Sequence, residues 1–396
     1  MSTNNIFVQS GVETQIIDLA IYISKLRDEE GENEAPYVKH IESILKSEKK
    51  DDVYDEIIKD ASIFLTENDR EVEGAFNLLI VIALGAPESI LSSTVQSLID
   101  TLTKTESNKT SLKQKILLNL YNALPGNSPL RYHAFVGLVE ATTQADELES
   151  LYGQLEYVDA WAKQWGIDQQ TQCNLYDYLS KVLLAAGQEK LALDFSLKKL
   201  DIVQENESAS LAKDIVNRAI AMENFFAFED LLQYTAIQKL KGTPEYDLLD
   251  IFLNGTLSTY QEFEKKYTLG NSESNTHKMR LLSLASLGSE NLSRELSYAE
   301  IASTLQIDVD QVEMWVIDVI RAGLVEAKLD QLNKTVIVHR SIYRVFGKEQ
   351  WNKLSTALSA WKENLNEILA VVGNAKLIAG GALQGQSSVV VESDTK

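Results

Sequence analysis

Apolar residues recur at helical spacing through most of this 396-residue chain, and strand-type alternation is rare before residue 324. Only five prolines punctuate that pattern. A chain of this kind has to bury its apolar faces helix against helix. The spacing predicts a first amphipathic helix over 12–27, carried by Ile16, Ile17, Leu19, Ala20 and Ile23. The acidic run Asp28 to Glu34, closed by Pro36, reads as a linker. Helices are predicted next over 37–47, 53–65 and 70–84. Ala75 to Leu84 is apolar nearly all round and so predicts a buried helix, which Gly85 and Pro87 stop. Further helices follow over 88–104, 110–123, 130–143, 146–165, 170–186, 188–203, 207–220, 224–231, 244–253, 258–267 and 276–287. Trp161 and Trp165, at i and i+4, predict a helix packing into its neighbour. No tetratricopeptide or ankyrin signature recurs. Degenerate stacked helix pairs are the economical reading, since one pair cannot bury its own face. A large irregular helical domain is the alternative.

Near residue 292 the pattern changes. Ser297 and Glu300 have capping-box spacing at the head of a short helix through Ile301, Ala302 and Leu305. Asp308 is placed to cap a second helix bearing Val312, Trp315, Val316, Val319 and Ile320. Gly323 stands where a helix-ending glycine belongs. Two strands, 324–330 and 335–339, flank a tight turn at Gln331 to Lys334. Helix, turn, helix and hairpin in that order make a winged helix.

A last helix begins near Gly347. On it Trp351, Leu354, Leu358, Trp361, Leu365, Ile368 and Val372 are spaced 3, 4, 3, 4, 3 and 4, an unbroken a/d seam. Leaving two indoles in water is costly, because burying each large apolar side chain gains roughly 1.5–3 kcal/mol. The seam needs a cover, and spacing alone does not choose between this chain's own domain and another chain. Residues 373–396, rich in Gly, Ala, Ser and Gln, read as a mobile tail.

Charge narrows the function. The net charge is −21, and residues 1–100 hold 20 acids against 8 bases. That balance argues against broad nucleic-acid binding, which needs cations to neutralise phosphates. The predicted recognition helix, roughly 309–322, sets Asp310, Glu313 and Asp318 against the single base Arg321, so reading of a major groove by this helix is not expected. Lys328, Lys334, Arg340 and Arg344 around the wing leave room only for weak RNA contact. The one cysteine, Cys173, fits a reducing compartment and a core or half-buried structural thiol. The polar start Met1 to Ser10 has no signal-peptide character. The longest strongly apolar run, Leu78 to Leu84, is far short of the ~20 residues that span a membrane. His40, His133, His277 and His339 stand apart from other metal-ligand residues. No phosphate loop or nucleophile elbow occurs, so neither an enzyme, nor a metal, nor a cofactor is expected.

Helical repeats, a winged helix and a terminal helix together resemble the PCI domain shared by the proteasome lid, the COP9 signalosome and initiation factor three. The series His277 to Leu282, Asp310 to Ile320, Lys328 to Val338, Arg344 to Trp351 and Leu358 to Leu365 is similar to the m-subunit family of eukaryotic translation initiation factor three. So are Leu117 to Asn122, Ser128 to Tyr132, Trp161 to Trp165 and Tyr246 to Phe252. The resemblance runs from about residue 115 to 370. It implies a mostly α protein: N-terminal helical repeats over 1–205 and a PCI domain over 206–372. The PCI domain comprises a helical part 206–291, a winged helix 292–346 and a bundle helix 347–372. A flexible tail, 373–396, follows. It further implies a non-catalytic, cytoplasmic scaffold whose partners are other PCI and MPN subunits and the small ribosomal subunit, supporting recruitment of mRNA and initiator tRNA. Two surfaces follow from it: a partner-helix interface of Trp351, Leu354, Leu358, Trp361, Leu365 and Ile368, and a winged-helix edge of Lys328, Asp330, Lys334, Val336 and Val338. A signalosome PCI subunit and a free nucleic-acid-binding winged helix are the competing readings.

Overall fold

The computed structural model describes residues 11–29, 35–47, 51–66, 69–105, 107–267, 271–291 and 294–385. The N-terminal decapeptide, residues 30–34 of the acidic linker and the tail from 386 onward lie outside them. The chain forms two compact units, Met1–Gln204 and Glu205–Lys396.

In the first unit each helix buries one face. Val12–Leu26 turns Ile16, Leu19, Ala20 and Ile23 inward at the spacing that predicted it. Asp69–Leu84 is enclosed on most sides, with Phe76, Leu79, Ile80 and Ala83 buried, and ends where Gly85 N–H donates back to the Val81 carbonyl. Leu130–Gln144 lies close against Glu88–Lys104 because residue 137 is glycine: a Cβ there would stand 2.6 Å from Ile99 Cγ2. Trp165 is fully buried, and both it and Trp161 pack around Tyr121 and Phe135 with ring centroids 5.7–6.2 Å apart.

The single helix predicted over 146–165 is broken into a 3-10 turn Leu148–Leu151, one turn Tyr152–Leu155 and a helix Val158–Trp165. The buried residues Leu148, Leu151, Leu155, Val158, Ala162 and Trp165 keep a 3,4,3,4,3 spacing across the breaks, which makes the sequence read as continuous. Similarly, of the predicted helix 224–231 only Phe228–Leu231 is helical.

The second unit begins with Glu205–Ala221 and continues through Pro244–Asn254 and Leu257–Lys266 to the long helix Ser272–Glu290. Pro244 opens its helix at N1, and Thr256 and Thr259 form a reciprocal capping box on the next. Lys278, 1% exposed, donates to the Ile220 and Met222 carbonyls and so closes the end of Glu205–Ala221. Leu281, Leu284 and Ala285 on the long helix enter the core of the winged helix.

That winged helix contains a strand the sequence did not announce. Strand β1 (Glu295–Ser297) pairs antiparallel with β3 (Thr335–Ser341), which pairs on its other side with β2 (Val325–Asp330). With three residues, β1 is too short to show alternation, and only Leu296 points inward. Ser297 Oγ accepts the Glu300 amide at 3.2 Å, as the capping spacing predicts, and starts the helix Tyr298–Leu305. Asp308 makes no such side-chain bond: the second helix opens with a 3-10 turn, Val309–Gln311, before Val312–Arg321. Gly323, at φ +72°, ends it in a Schellman arrangement, with Gly323 N–H to Ile320 O and Leu324 N–H to Val319 O. Trp315, Val316 and Val319 pack inward.

The terminal helix runs from Lys348 to Gly385. It takes in residues 373–385, which the sequence assigned to a mobile tail. Alanine, leucine, lysine and glutamine supply enough helix propensity there to offset interior glycines, each costing ~1 kcal/mol against alanine.

Candidate assembly surfaces

The terminal helix presents the first surface. Its heptad seam exists because Trp351, Leu354, Leu358, Trp361, Leu365 and Ile368 fall on one side of a helix otherwise filled by Asn, Lys, Ser and Glu. Trp351 and Trp361 are 60% and 63% exposed, and all four aliphatic members are exposed as well. Among the described residues, therefore, this chain does not cover its own seam. Val372, the last position of the seam read from the sequence, is exposed too, and exposed Leu369 and Val371 widen the apolar surface beyond that seam. The signal for them was the consecutive run Ile368 to Val372, which carries apolar character around the helix rather than along one stripe. Single exposed apolar residues are ordinary, whereas a contiguous row of this length is the kind of surface that interaction sites present.

The second surface lies on the winged helix. Strand β2 is an outer strand of the sheet, paired only to β3. Lys328 is exposed on it, and Lys334 sits in the turn at φ +50°. Asp330 ties that turn, accepting from the Asn333 backbone and side-chain amides at 3.1 and 2.8 Å, bonds that hold its carboxyl below the usual range. Leu332 at the tip is 97% exposed. Val336 and Val338 do not belong to this edge. They alternate onto the face of β3 that packs against Trp315, Val316 and Leu281 and are buried in the winged-helix core, and the unforeseen β1 makes β3 the central strand. The accessible edge consists of Lys328, Asp330 and Lys334, with the two valines supporting it from beneath.

The recognition helix Val312–Arg321 turns Met314, Ile317 and Ile320 outward beside Asp310 and Glu313, while Arg321 is paired with Asp318 at 3.2 Å. An apolar, acid-rimmed face of this kind does not attract phosphates. The bases expected near the wing are also depleted. Arg340 pairs with Glu326 at 3.2 Å across the hairpin. Arg344 is no surface base at all: its guanidinium is turned inward onto the Leu282 and Gly255 carbonyls and Ser283 Oγ.

Comparison with known proteins bears directly on these two surfaces. A PCI domain model matches residues 257–340, and a model described as the C-terminal helix of eIF3 subunit M matches residues 344–372. Eukaryotic translation initiation factor 3 subunit M of Phaeosphaeria nodorum is 32% identical, over 93% of this chain and 88% of its own length. The subunit M of Dictyostelium discoideum is 31% identical, over 91% of this chain and 93% of its own. The chain belongs to the subunit M family of eukaryotic translation initiation factor 3. At that coverage, most of the first hundred residues, which carry no recognisable motif, lie inside the match. The subunit M terminal-helix match encloses the whole seam from Trp351 to Val372 and starts at Arg344, the inward-turned arginine at the root of the helix. A signalosome subunit and a free nucleic-acid-binding protein are set aside by the same findings. Among the described residues, no helix is long and apolar enough to cross a membrane.

Proposed function

We propose that this subunit M chain is a non-catalytic, cytoplasmic scaffold that joins the PCI and MPN subunits of initiation factor 3 on the small ribosomal subunit and supports recruitment of mRNA and initiator tRNA. Residues 1–205 serve as helical-repeat scaffold and 206–372 as the assembly domain. The observation that carries this reading is the uncovered seam of the terminal helix. Helices bearing complementary seams from other subunits would bury it in a shared bundle, as knobs into holes. The edge of β2, with Lys328, Asp330 and Lys334, faces a neighbouring winged helix.

Affinity purification of the tagged chain, read by mass spectrometry, tests the proposal. The wild type returns initiation factor 3 subunits and proteins of the small ribosomal subunit. The double variant Trp361→Asp, Leu365→Asp stays folded and loses them. Recovery of signalosome subunits, or unfolding of the variant monomer, overturns the reading.

A further inference from the structure

We propose that Arg344 and Glu229 lock the root of the terminal helix, so that its apolar face is offered to partner helices in a preset direction. This rests on the reading that the face docks other helices, and it adds a requirement that exposure alone does not impose.

A 38-residue helix is about 57 Å long. Every residue from Trp351 to Lys376 is exposed, so among the described side chains no packing along that stretch of the flank holds its direction. Direction is then set in the short connector between Ser341 and Lys348. No side chain from Ile342 to Gly347 is fully buried, although Ile342 packs partly against the winged-helix core. Beyond Ile342, polar bonds hold the connector, and they reach three separate helices. Arg344 Nη1 donates to the Gly255 carbonyl at 2.7 Å, at the end of Pro244–Asn254. Its Nε donates to the Leu282 carbonyl at 3.0 Å, and Nη2 to Ser283 Oγ at 3.3 Å, both on Ser272–Glu290. Two residues on, Phe346 N–H donates to Glu229 Oε1 at 3.0 Å, on Phe228–Leu231. The Phe346 ring then meets Trp351 edge-on at 4.9 Å and 87°, linking the anchored connector to the first indole of the seam.

The chemistry suits a lock. A guanidinium is planar and carries five donors in a fixed fork, so it bonds two carbonyls and a hydroxyl at once and resists rotation. Burial lowers its pKa to about 10, which still leaves it charged at neutral pH. A lysine ammonium at this site is a single flexible point and cannot reproduce the fork. The lever arm makes the angle matter. A 10° swing at the root displaces the far end by about 10 Å, a full interhelical spacing of 8–10 Å. A preset direction also lowers the ordering cost of docking.

The test uses the full chain with Cys173→Ser, and spin labels at Ser303→Cys on the winged helix and Glu363→Cys on the terminal helix, away from the seam. Pulsed electron resonance gives the distance distribution, and incorporation into the factor is measured alongside. The wild type shows one narrow distribution. Arg344→Lys keeps its helicity and cooperative unfolding, broadens the distribution and lowers incorporation by tenfold or more. Glu229→Ala, a milder lesion outside the arginine site, broadens it to a lesser degree. Trp361→Asp lowers incorporation and leaves the distance unchanged. A broad wild-type distribution overturns the lock, as does a distribution that neither connector variant alters. Broadening with normal incorporation overturns its orienting role. If Trp361→Asp incorporates normally, the bundle reading fails separately.

Discussion

Replacing Trp361 with alanine separates a seam that serves assembly from one that serves the fold. A tryptophan side chain buries 150–250 Å² when fully enclosed, as a rough figure. At 63% exposure, about 95–160 Å² of Trp361 remains in water. At roughly 25 cal/mol per Å², covering that area contributes about 2.4–4 kcal/mol. Allowing for what alanine still buries, Trp361→Ala costs about 2–3 kcal/mol of association, roughly a 30- to 150-fold loss of affinity. The isolated chain should barely notice, with a change in unfolding free energy under about 0.5 kcal/mol, because the indole leaves no cavity behind. The assay is competition: isotopically labelled wild type and unlabelled variant compete for a limiting amount of the remaining purified factor, and mass spectrometry reads the incorporated ratio. Glu363→Ala, on the opposite face of the same helix, is the control and competes as well as the wild type. The reasoning fails if Trp361→Ala competes equally. It fails also if chemical denaturation shows the variant monomer destabilised by more than about 1 kcal/mol, since the indole would then belong to the fold.

The remaining expectations concern the framework. Gly137→Ala forces a methyl to within 2.6 Å of Ile99 Cγ2, and overpacking of that kind costs about 1–3 kcal/mol in a denaturant titration of the chain; an unchanged midpoint would show that the two helices separate freely. The Asp168 carboxylate accepts from the Thr171 hydroxyl and from the Thr171 and Gln170 amides, which holds its pKa below the usual value. Its capping contribution is therefore complete above the unfolded-state value of ~3.9 and fades as pH falls through the lower folded value. The stability deficit of Asp168→Ala should accordingly be constant near neutrality and shrink below about pH 4; a deficit independent of pH would contradict the cap. The acid-rimmed recognition helix predicts no duplex-DNA complex at micromolar protein and physiological salt in a gel-shift assay, whereas a tight complex would overturn the electrostatic argument.

What the sequence made legible was local. The seam of the terminal helix, the cap at Ser297 and the stop at Gly323 each depend on residues within a few positions of one another, and the structure contains all three. What it hid was set by long-range contact. Strand β1 exists only because Glu295–Ser297 meets the far side of β3, and Val336 and Val338 are claimed by a core to which the distant helix residues Leu281 and Leu284 contribute. Arg344 looked like a wing cation because a base beside a hairpin usually faces water. The carbonyl that claims it, Gly255, lies 89 residues away. Periodicity also misled once: buried positions kept helical spacing from Leu148 to Trp165 although the backbone between them breaks.

The composition of the seam also bears on what kind of partner suits it. If two copies of this helix paired in parallel and in register, Trp351 would face Trp351 at one core layer and Trp361 would face Trp361 at another. In a two-stranded coiled coil such layers hold side chains of leucine or isoleucine size, and forcing in paired indoles strains rotamers and backbone. An indole packs best opposite small residues or in a gap between several helices. Within the seam itself the residues between the tryptophans are leucines, so shifting the register of a self-pair sets indoles against full-sized side chains rather than small ones. Unlike helices escape that constraint, because each layer can be completed by a residue of complementary volume. A seam with two widely spaced tryptophans is thus poorly matched to itself and well matched to a heterotypic bundle. The short connector gives such a bundle what exposure alone does not, a fixed direction from which the first indole, Trp351, is approached.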